Sequence, residues 1–546
     1  MTNAPHRARR SADLDALAQR EFDLVVIGGG ITGAGIARDA ALRGLSVALL
    51  EASDFASGTS SRSSRLIHGG LRYLEHGHLG LVLESSRERR VLLRIAPHLV
   101  RPLAFTWPVY SGARVARWRL GAGLVLYDAL AGFQNVRNHR RLTVTDVTKL
   151  EPALSRDGLR GGARYFDAAT DDSRLTLANA LAAAAAGGLV LNHVAARDLV
   201  MDGDIVRGVV AEDRVSGRQM QVRAAIVVSA AGPWADAVRG LAQVTGAPMV
   251  RTSKGVHIAV ARSRIGNREA LTVLSPVDER VMFILPDGAL TIVGTTETEY
   301  HGPPEEVRST EADIAYLLQS ANHYFPSARL ERADVVSAWA GIRPLVAGGS
   351  RDAGTVSREH EISRIAPGLI GITGGKLTTY RTMAAEVVDA AYPRRGTTRV
   401  PRSRTDLIPL PGGELDAVDA EIAAATAAIG TEDIATRLVH AHGTAWRDVW
   451  ALAVADPSLA ERVEPSLPYV MAELRYGIER EMAMTLGDLL IRRLRVAFET
   501  TDHGMRAAQS AVAIAAPLLE WDPSRQRLEL DRYGEEAKRI FGVDAA

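Results

Sequence analysis

Apolar positions change texture along the chain. Near the N-terminus they come in short unbroken runs. Leu24-Val25-Val26-Ile27 is one. Such a run predicts a strand covered on both faces, as in a parallel sheet. Ser46 to Leu50 predicts the next strand. Between them Ile36 to Arg43 is Ala-rich and helical, with Gly44 placed to cap it. Leu79 to Ile95 predicts a helix rich in Arg and Glu that stops before Pro97, and Phe105 to Tyr110 a strand. Leu175 to Ala186 predicts an Ala-rich helix ending at Gly187-Gly188. Val190 to Val194, Asp198 to Glu212 and Gln219 to Val228 predict strands, with turns at Asp202-Gly203 and Ser216-Gly217. Val281 to Pro286 and Leu290 to Glu297 predict a hairpin about Asp287-Gly288. After Pro401 the texture changes. Leu407 to Gly413 is a Pro/Gly linker. From Glu414 onward the pattern is helical, and Leu474, Ile478, Met482, Leu486, Leu489, Leu490 and Leu494 keep helical spacing.

Composition narrows the function classes. A chain of 546 residues predicts more than one domain. A net charge of +1 argues against a nucleic-acid binder driven by bulk charge. The absence of cysteine excludes disulfides, thiolate metal sites and a cysteine-linked cofactor, and suits a reducing compartment. The fourteen histidines form no H-E-x-x-H pattern, so no metal site is implied, and no G-x-S-x-G elbow offers a serine nucleophile. No apolar run reaches membrane-spanning length. The basic stretch His6 to Arg10 lacks the apolar segment of a secretory signal, and residues 1–20 are expected to be a loosely ordered lead-in.

The chemistry concentrates between Asp23 and Glu75. Gly28, Gly30 and Gly33 have G-x-G-x-x-G spacing between a predicted strand and helix. The first glycine allows the tight turn, the second a close approach to a pyrophosphate, the third helix-on-strand packing. The helix N-terminus supplies free N–H groups and partial positive charge for a diphosphate. Glu51, ending the next strand, suits ribose hydroxyls. A hydroxyl-rich loop from Asp54 to Ser64 follows, then Leu66-Ile67-His68-Gly69-Gly70-Leu71-Arg72-Tyr73-Leu74-Glu75.

This run, with Gly341-Ile342-Arg343-Pro344-Leu345 and Gly374-Gly375-Lys376-Leu377-Thr378-Thr379-Tyr380-Arg381 in the same order, resembles the FAD-dependent glycerol-3-phosphate dehydrogenases that pass electrons to quinone. The resemblance extends along most of the chain. It implies an α/β fold: a discontinuous Rossmann-like FAD-binding domain (21–95, 166–250 and 340–395), a mixed-sheet substrate domain (96–165 and 251–339) and an all-helical C-terminal domain (400–546). It implies oxidation of sn-glycerol 3-phosphate to dihydroxyacetone phosphate, with electrons passed to a membrane quinone. Residues 346–362 match loosely.

The cofactor side would comprise Gly28, Gly30, Thr32, Gly33, Glu51, Ser60, Ser61, Ser64, His68, Val194, Ala231, Gly232, Trp234, Gly375, Lys376, Leu377 and Thr378. A helix opening after Gly374-Gly375 would turn backbone N–H groups toward the anionic edge of a reduced flavin. On the substrate side, Arg343 has apolar flanks, poor company for a surface arginine, and would bond the reacting oxygen. His68 is the candidate base and His257 the runner-up. Arg72 would take phosphate through its guanidinium fork. Arg358 and Lys376 are weaker phosphate ligands, and Tyr73 and Thr295 would bond the substrate.

Arg114 to Leu130 places three arginines and a tryptophan before an apolar stretch. That suits either a core helix or an interfacial membrane segment. Peripheral attachment on the cytoplasmic side of the membrane, or a cytoplasmic location, follows from the resemblance. A homodimer is left open. The alternatives are a glycerol-3-phosphate oxidase using oxygen, an amine or amino-acid oxidase of the same superfamily, and a flavin-bound protein without turnover. The excess of cations favours a phosphate over an amino acid.

Overall fold

The computed structural model describes residues 6–70, 78–132, 135–347, 359–392 and 400–545. The expected ligands Arg72, Tyr73 and Arg358 lie outside the described residues.

Two sheets organise the chain. In the first, the run at 24–27 forms the strand Glu21–Ile27, paired in parallel with Val47–Leu50 on one side and Gln219–Ser229 on the other. Leu189–Leu191 and Leu369–Gly374 extend the parallel array outward. Leu24 and Val26 pack beneath the helices Ile31–Leu42, Asp172–Ala185 and Tyr380–Ala391. Val25 and Ile27 pack on the other face against the hairpin Val194–Asp202 and Ile205–Asp213. Both faces are covered, which is why the strand carries no polar position in this run. Burying each such side chain contributes roughly 1.5–3 kcal/mol.

The expected loose lead-in is instead a helix, His6–Gln19. Leu14 and Leu17, three positions apart among charges, are buried against the hairpin side of the sheet. Arg10 also ties the helix down, bonded to Asp213 and the Asn192 carbonyl, and two apolar residues on one face leave little periodic signal.

The second sheet is mixed. Val250–Ala261 pairs with Val335–Val346 over most of its length and, on its other edge, with Leu290–Gly294. The hairpin Val281–Asp287 and Leu290–Gly294 turns at Gly288 (φ +60°), as expected. Ala270–Leu274 runs parallel to Val100–Tyr110, which pairs antiparallel with Leu159–Thr170. The domain divisions expected at 165/166 and 339/340 therefore fall inside strands. Leu159–Thr170 and Val335–Val346 both belong to this second sheet, as does the short strand Leu66–Ile67. A strand joins a sheet as a unit, so the motif Gly341 to Leu345 reaches the cofactor side from the substrate sheet.

Beyond residue 417 the described chain is helical apart from Val543–Asp544, which pairs with Ser309–Thr310, and the isolated bridge between Arg462 and Val470. The stripe from Leu474 to Leu494 is not one continuous helix. Met482 takes a left-handed conformation (φ +60°) that ends the helix Met471–Glu481, and Asp488–Arg493 then forms a π-helix. Its leucines nevertheless share one core with Phe105, Trp107, Tyr165 and Trp339 of the second sheet. The helical region is thus fused to the sheets and does not stand apart. Buried ion pairs reinforce the join: Arg492 and Arg493 each reach Asp54 at 2.7 Å, and Arg174 holds Glu481 through two 2.7 Å bonds. Removing one partner from such a pair leaves a buried uncompensated charge.

Candidate functional site

At the glycine-rich turn the geometry is set mainly by backbone. Gly28 has φ +107°, and a Cβ there would lie 2.6 Å from the Ala230 carbonyl oxygen. A Cβ on Gly33 would collide with the Gly28 carbonyl. The helix Ile31–Leu42 starts in this turn, with Gly30 as its N-cap and the Ile31 N–H bonded to Ser60 Oγ at 2.9 Å. The Glu51 carboxylate accepts the N–H groups of Gly29 at 2.7 Å and Ser53 at 2.8 Å. Burial pushes its pKa up, and those two N–H bonds pull it back. The Val194 N–H bonds to the Glu51 carbonyl at 2.8 Å, and the Ala230 N–H to the Ile27 carbonyl at 2.9 Å. These contacts bring three strand ends to one edge.

A cavity of about 270 Å³ opens beside this edge. Arg343 enters it from the strand Val335–Val346. Its Nη2 donates to Thr295 Oγ1 at 2.9 Å, and its guanidinium lies over Gly255, where a Cβ would come within 2.7 Å of Cζ. His257 lines the same wall, its Nε2 2.8 Å from Ser64 Oγ and its ring stacked on Trp339 at 5.5 Å. Burial, then the charges of Arg343 and Arg65, push His257 down to about 3. Opposite stand Gly375, Lys376, Leu377 and Thr378, which precede the helix Tyr380–Ala391. Gly374 and Gly375 both have positive φ (+76° and +82°), and a Cβ on Gly375 would strike Met383. His68 completes the wall, its N–H bonded to Thr378 Oγ1 at 3.2 Å.

Comparison with known proteins agrees with this geometry. Residues 23–390 match the FAD dependent oxidoreductase family, and residues 403–526 match the C-terminal domain of alpha-glycerophosphate oxidase. The chain is 39% identical to glycerol-3-phosphate dehydrogenase 2 of Mycobacterium bovis, covering 96% of this chain and 90% of that protein. It is 34% identical to the aerobic glycerol-3-phosphate dehydrogenase of Staphylococcus haemolyticus, covering 96% of each. The solved glycerol-3-phosphate dehydrogenase of Bacillus halodurans, complexed with FAD, superposes with a TM-score of 0.82 at 32% identity over 98% of both chains. The chain belongs to the FAD-dependent glycerol-3-phosphate dehydrogenases.

The residues present fit that cofactor. The turn at 28–33 is packed too tightly for a Cβ at Gly28 or Gly33, and the acidic Glu51 at the next strand end accepts the Gly29 N–H, the arrangement a dinucleotide-binding turn requires. Arg62 is a further fit. It lines the cavity while buried, its Nε has no hydrogen-bond partner among the described residues, and burial together with Arg539 lowers it to about 10. A buried cation of this kind suits an anionic ligand.

Of the residues expected for this dehydrogenase site, Ser60, Ser64, His68, His257, Thr295, Arg343, Gly375, Lys376, Leu377 and Thr378 line one cavity. Gly28, Gly30, Thr32, Gly33, Glu51, Val194, Ala231 and Gly232 gather at the nucleotide edge around the first turn of Ile31–Leu42. Trp234 and Ser61 do not line the cavity. The Trp234 ring lies against Gly58 and its Nε1 donates to Glu305 at 2.9 Å, away from the cavity lining. The Ser61 side chain is buried, with its hydroxyl 3.4 Å from the Gly58 carbonyl. Its neighbour Ser60 is the one that accepts the Ile31 N–H and lines the cavity. Thr295 lines the cavity, but its hydroxyl is engaged with Arg343. Sequence reasoning passed over Arg62, although an arginine centred in Ser60-Ser61-Arg62-Ser63-Ser64 was a visible signal. It also passed over Asp167, on the strand Leu159–Thr170, and Arg280 and Glu297, in loops flanking strands of the second sheet.

Proposed function

We propose that this chain oxidises sn-glycerol 3-phosphate to dihydroxyacetone phosphate, with His68 as base and Arg343 on the reacting oxygen. The observation that carries the reading is convergence. Arg343, His68 and Lys376, from three distant motifs, face one cavity at the start of a helix. FAD, when bound, takes the hydride from the secondary alcohol carbon. The chain's part is to hold the phosphate with cations, draw charge onto the oxygen through Arg343 and accept the hydroxyl proton at His68. His257 is the poorer base, because a group lowered to about 3 has little affinity for a proton.

The test is anaerobic. Glycerol 3-phosphate should bleach the visible flavin bands of the purified protein, while glycerol and amino acids should not. An unchanged spectrum would end this assignment.

Electrons then pass to a membrane quinone in this proposal. Support comes from the helix Arg117–Leu130. Leu120, Leu124 and Tyr127 face inward, while Trp118, Val125 and Leu126 are 68%, 47% and 42% exposed. Leu83, 54% exposed on the adjoining helix Leu79–Ile95, adds to the patch, and Arg117 and Arg119 lie beside it. An outward apolar face with basic neighbours suits lipid contact. Among the described residues no helix is long and apolar enough to cross a membrane, so contact would be peripheral. Oxygen is the second acceptor to test, since residues 403–526 match a domain named for an oxidase. Stoichiometric peroxide, with no reduction of a soluble quinone, would favour it.

A further inference from the structure

The turn that carries His68 is clamped from behind by a buried polar cluster on three other elements. The Gly69 N–H points at both Tyr127 Oη, 3.0 Å away, and Asp167 Oδ1, 3.1 Å away. Tyr127 donates to the same Asp167 oxygen at 2.6 Å, and Arg89 donates to Tyr127 Oη at 2.7 Å and to Asp167. Tyr127 comes from the helix Arg117–Leu130, Asp167 from the strand Leu159–Thr170 and Arg89 from the helix Leu79–Ile95. All three are buried, and Asp167 also lines the cavity. Packing is equally close: a Cβ on Gly69 would stand 2.7 Å from Tyr127 Cζ and 2.8 Å from Ser86 Oγ. On the other side, the His68 N–H is held by Thr378.

We propose that Tyr127, Asp167 and Arg89 are positioning residues that fix the His68-Gly69-Gly70 turn for proton abstraction. The reasoning rests on His68 as the base. A base works only within hydrogen-bond reach of its proton, and small misplacements cost rate steeply. Buried networks of this kind specify one geometry when every member is satisfied. Tyr127 serves as a durable donor because burial holds its phenol well above its usual range.

The experiment compares Tyr127→Phe and Asp167→Asn in the flavin-loaded enzyme, each alone and in a His68→Ala background. The rate of flavin reduction by glycerol 3-phosphate is followed without oxygen. Flavin content, thermal midpoint and amide exchange over residues 66–70 are read alongside. Tyr127→Phe should keep its flavin, leave KM within about twofold, speed exchange at Gly69 and slow reduction about tenfold. In the His68→Ala background it should cost nothing further, since a residue acting through His68 has nothing left to position. An equal loss in both backgrounds, or unchanged reduction in the wild-type background, would overturn the proposal. If Asp167→Asn fails to fold because Arg89 loses its counter-charge, Tyr127→Phe decides alone. Wild-type reduction by His68→Ala itself would instead remove the base assignment, a separate outcome.

Discussion

At the nucleotide end, contacts come from main chain and missing side chains. Gly28, Gly33 and Gly375 sit where a Cβ would strike backbone or a neighbouring residue, and Glu51 is tied to two N–H groups. At the substrate end, contacts come from long side chains held by other side chains. Arg343 is steered by Thr295, and His257 by Ser64 and Trp339. The first kind of site tolerates almost no added volume and places its one carboxylate through backbone N–H groups. The second tolerates reshaping yet fails when one charge is lost. A diphosphate needs close approach of many weak donors, whereas a reacting oxygen needs one strong, aimed donor.

Four substitutions test this contrast. Gly33→Val should have the largest effect. Its side chain would displace the Gly28 carbonyl, so protein should be recovered without yellow colour, checked by absorbance and reconstitution with FAD. Arg343→Ala should keep the flavin but slow its reduction by about a hundredfold or more, as loss of a transition-state donor does. Unchanged turnover would take this arginine out of the site. Glu51→Gln should stay active when saturated but bind FAD about tenfold more weakly, the scale of one charged hydrogen bond, measured by flavin release on dilution.

His257→Gln should be the mildest and should sharpen the comparison through pH. His257 has a folded value near 3 against about 6.5 unfolded. The unfolded chain therefore binds this proton first, and wild-type stability falls as pH drops below about 6.5. The sign is opposite for a group with a raised histidine pKa. Between pH 7 and pH 5 the wild type should lose about 2 kcal/mol relative to His257→Gln, read from paired urea midpoints. The acid limb of the pH–rate profile should stay in place in His257→Gln, because the proposed base is His68. A limb that vanishes with His257 would exchange their roles.

Much of the fold was legible in the pattern. The strand at 24–27, the helix Leu79–Ile95 and the hairpin about Gly288 stand where periodicity put them. Met482 was not legible, because a left-handed residue within an apolar stripe leaves the stripe intact in sequence. Nor was the lead-in helix, whose apolar face is two leucines wide. The cavity residues found in advance lay in dense local motifs rich in Gly and Arg. Arg62 was missed although Ser60 and Ser64 beside it were chosen, and Asp167 was missed because it alternates along a strand.

By itself the sequence determined the nucleotide turn, since spacing of glycines between a strand and a helix is a local matter of sterics and hydrogen bonds. It also determined which motifs would supply cations. Tertiary structure alone decided which of those cations meet. Arg343 reaches the cavity because Val335–Val346 pairs with the substrate sheet, and the His68 turn is held by Tyr127, Asp167 and Arg89 from three separate elements. Contacts between positions tens to hundreds of residues apart depend on sheet register and helix packing, and no local pattern encodes those.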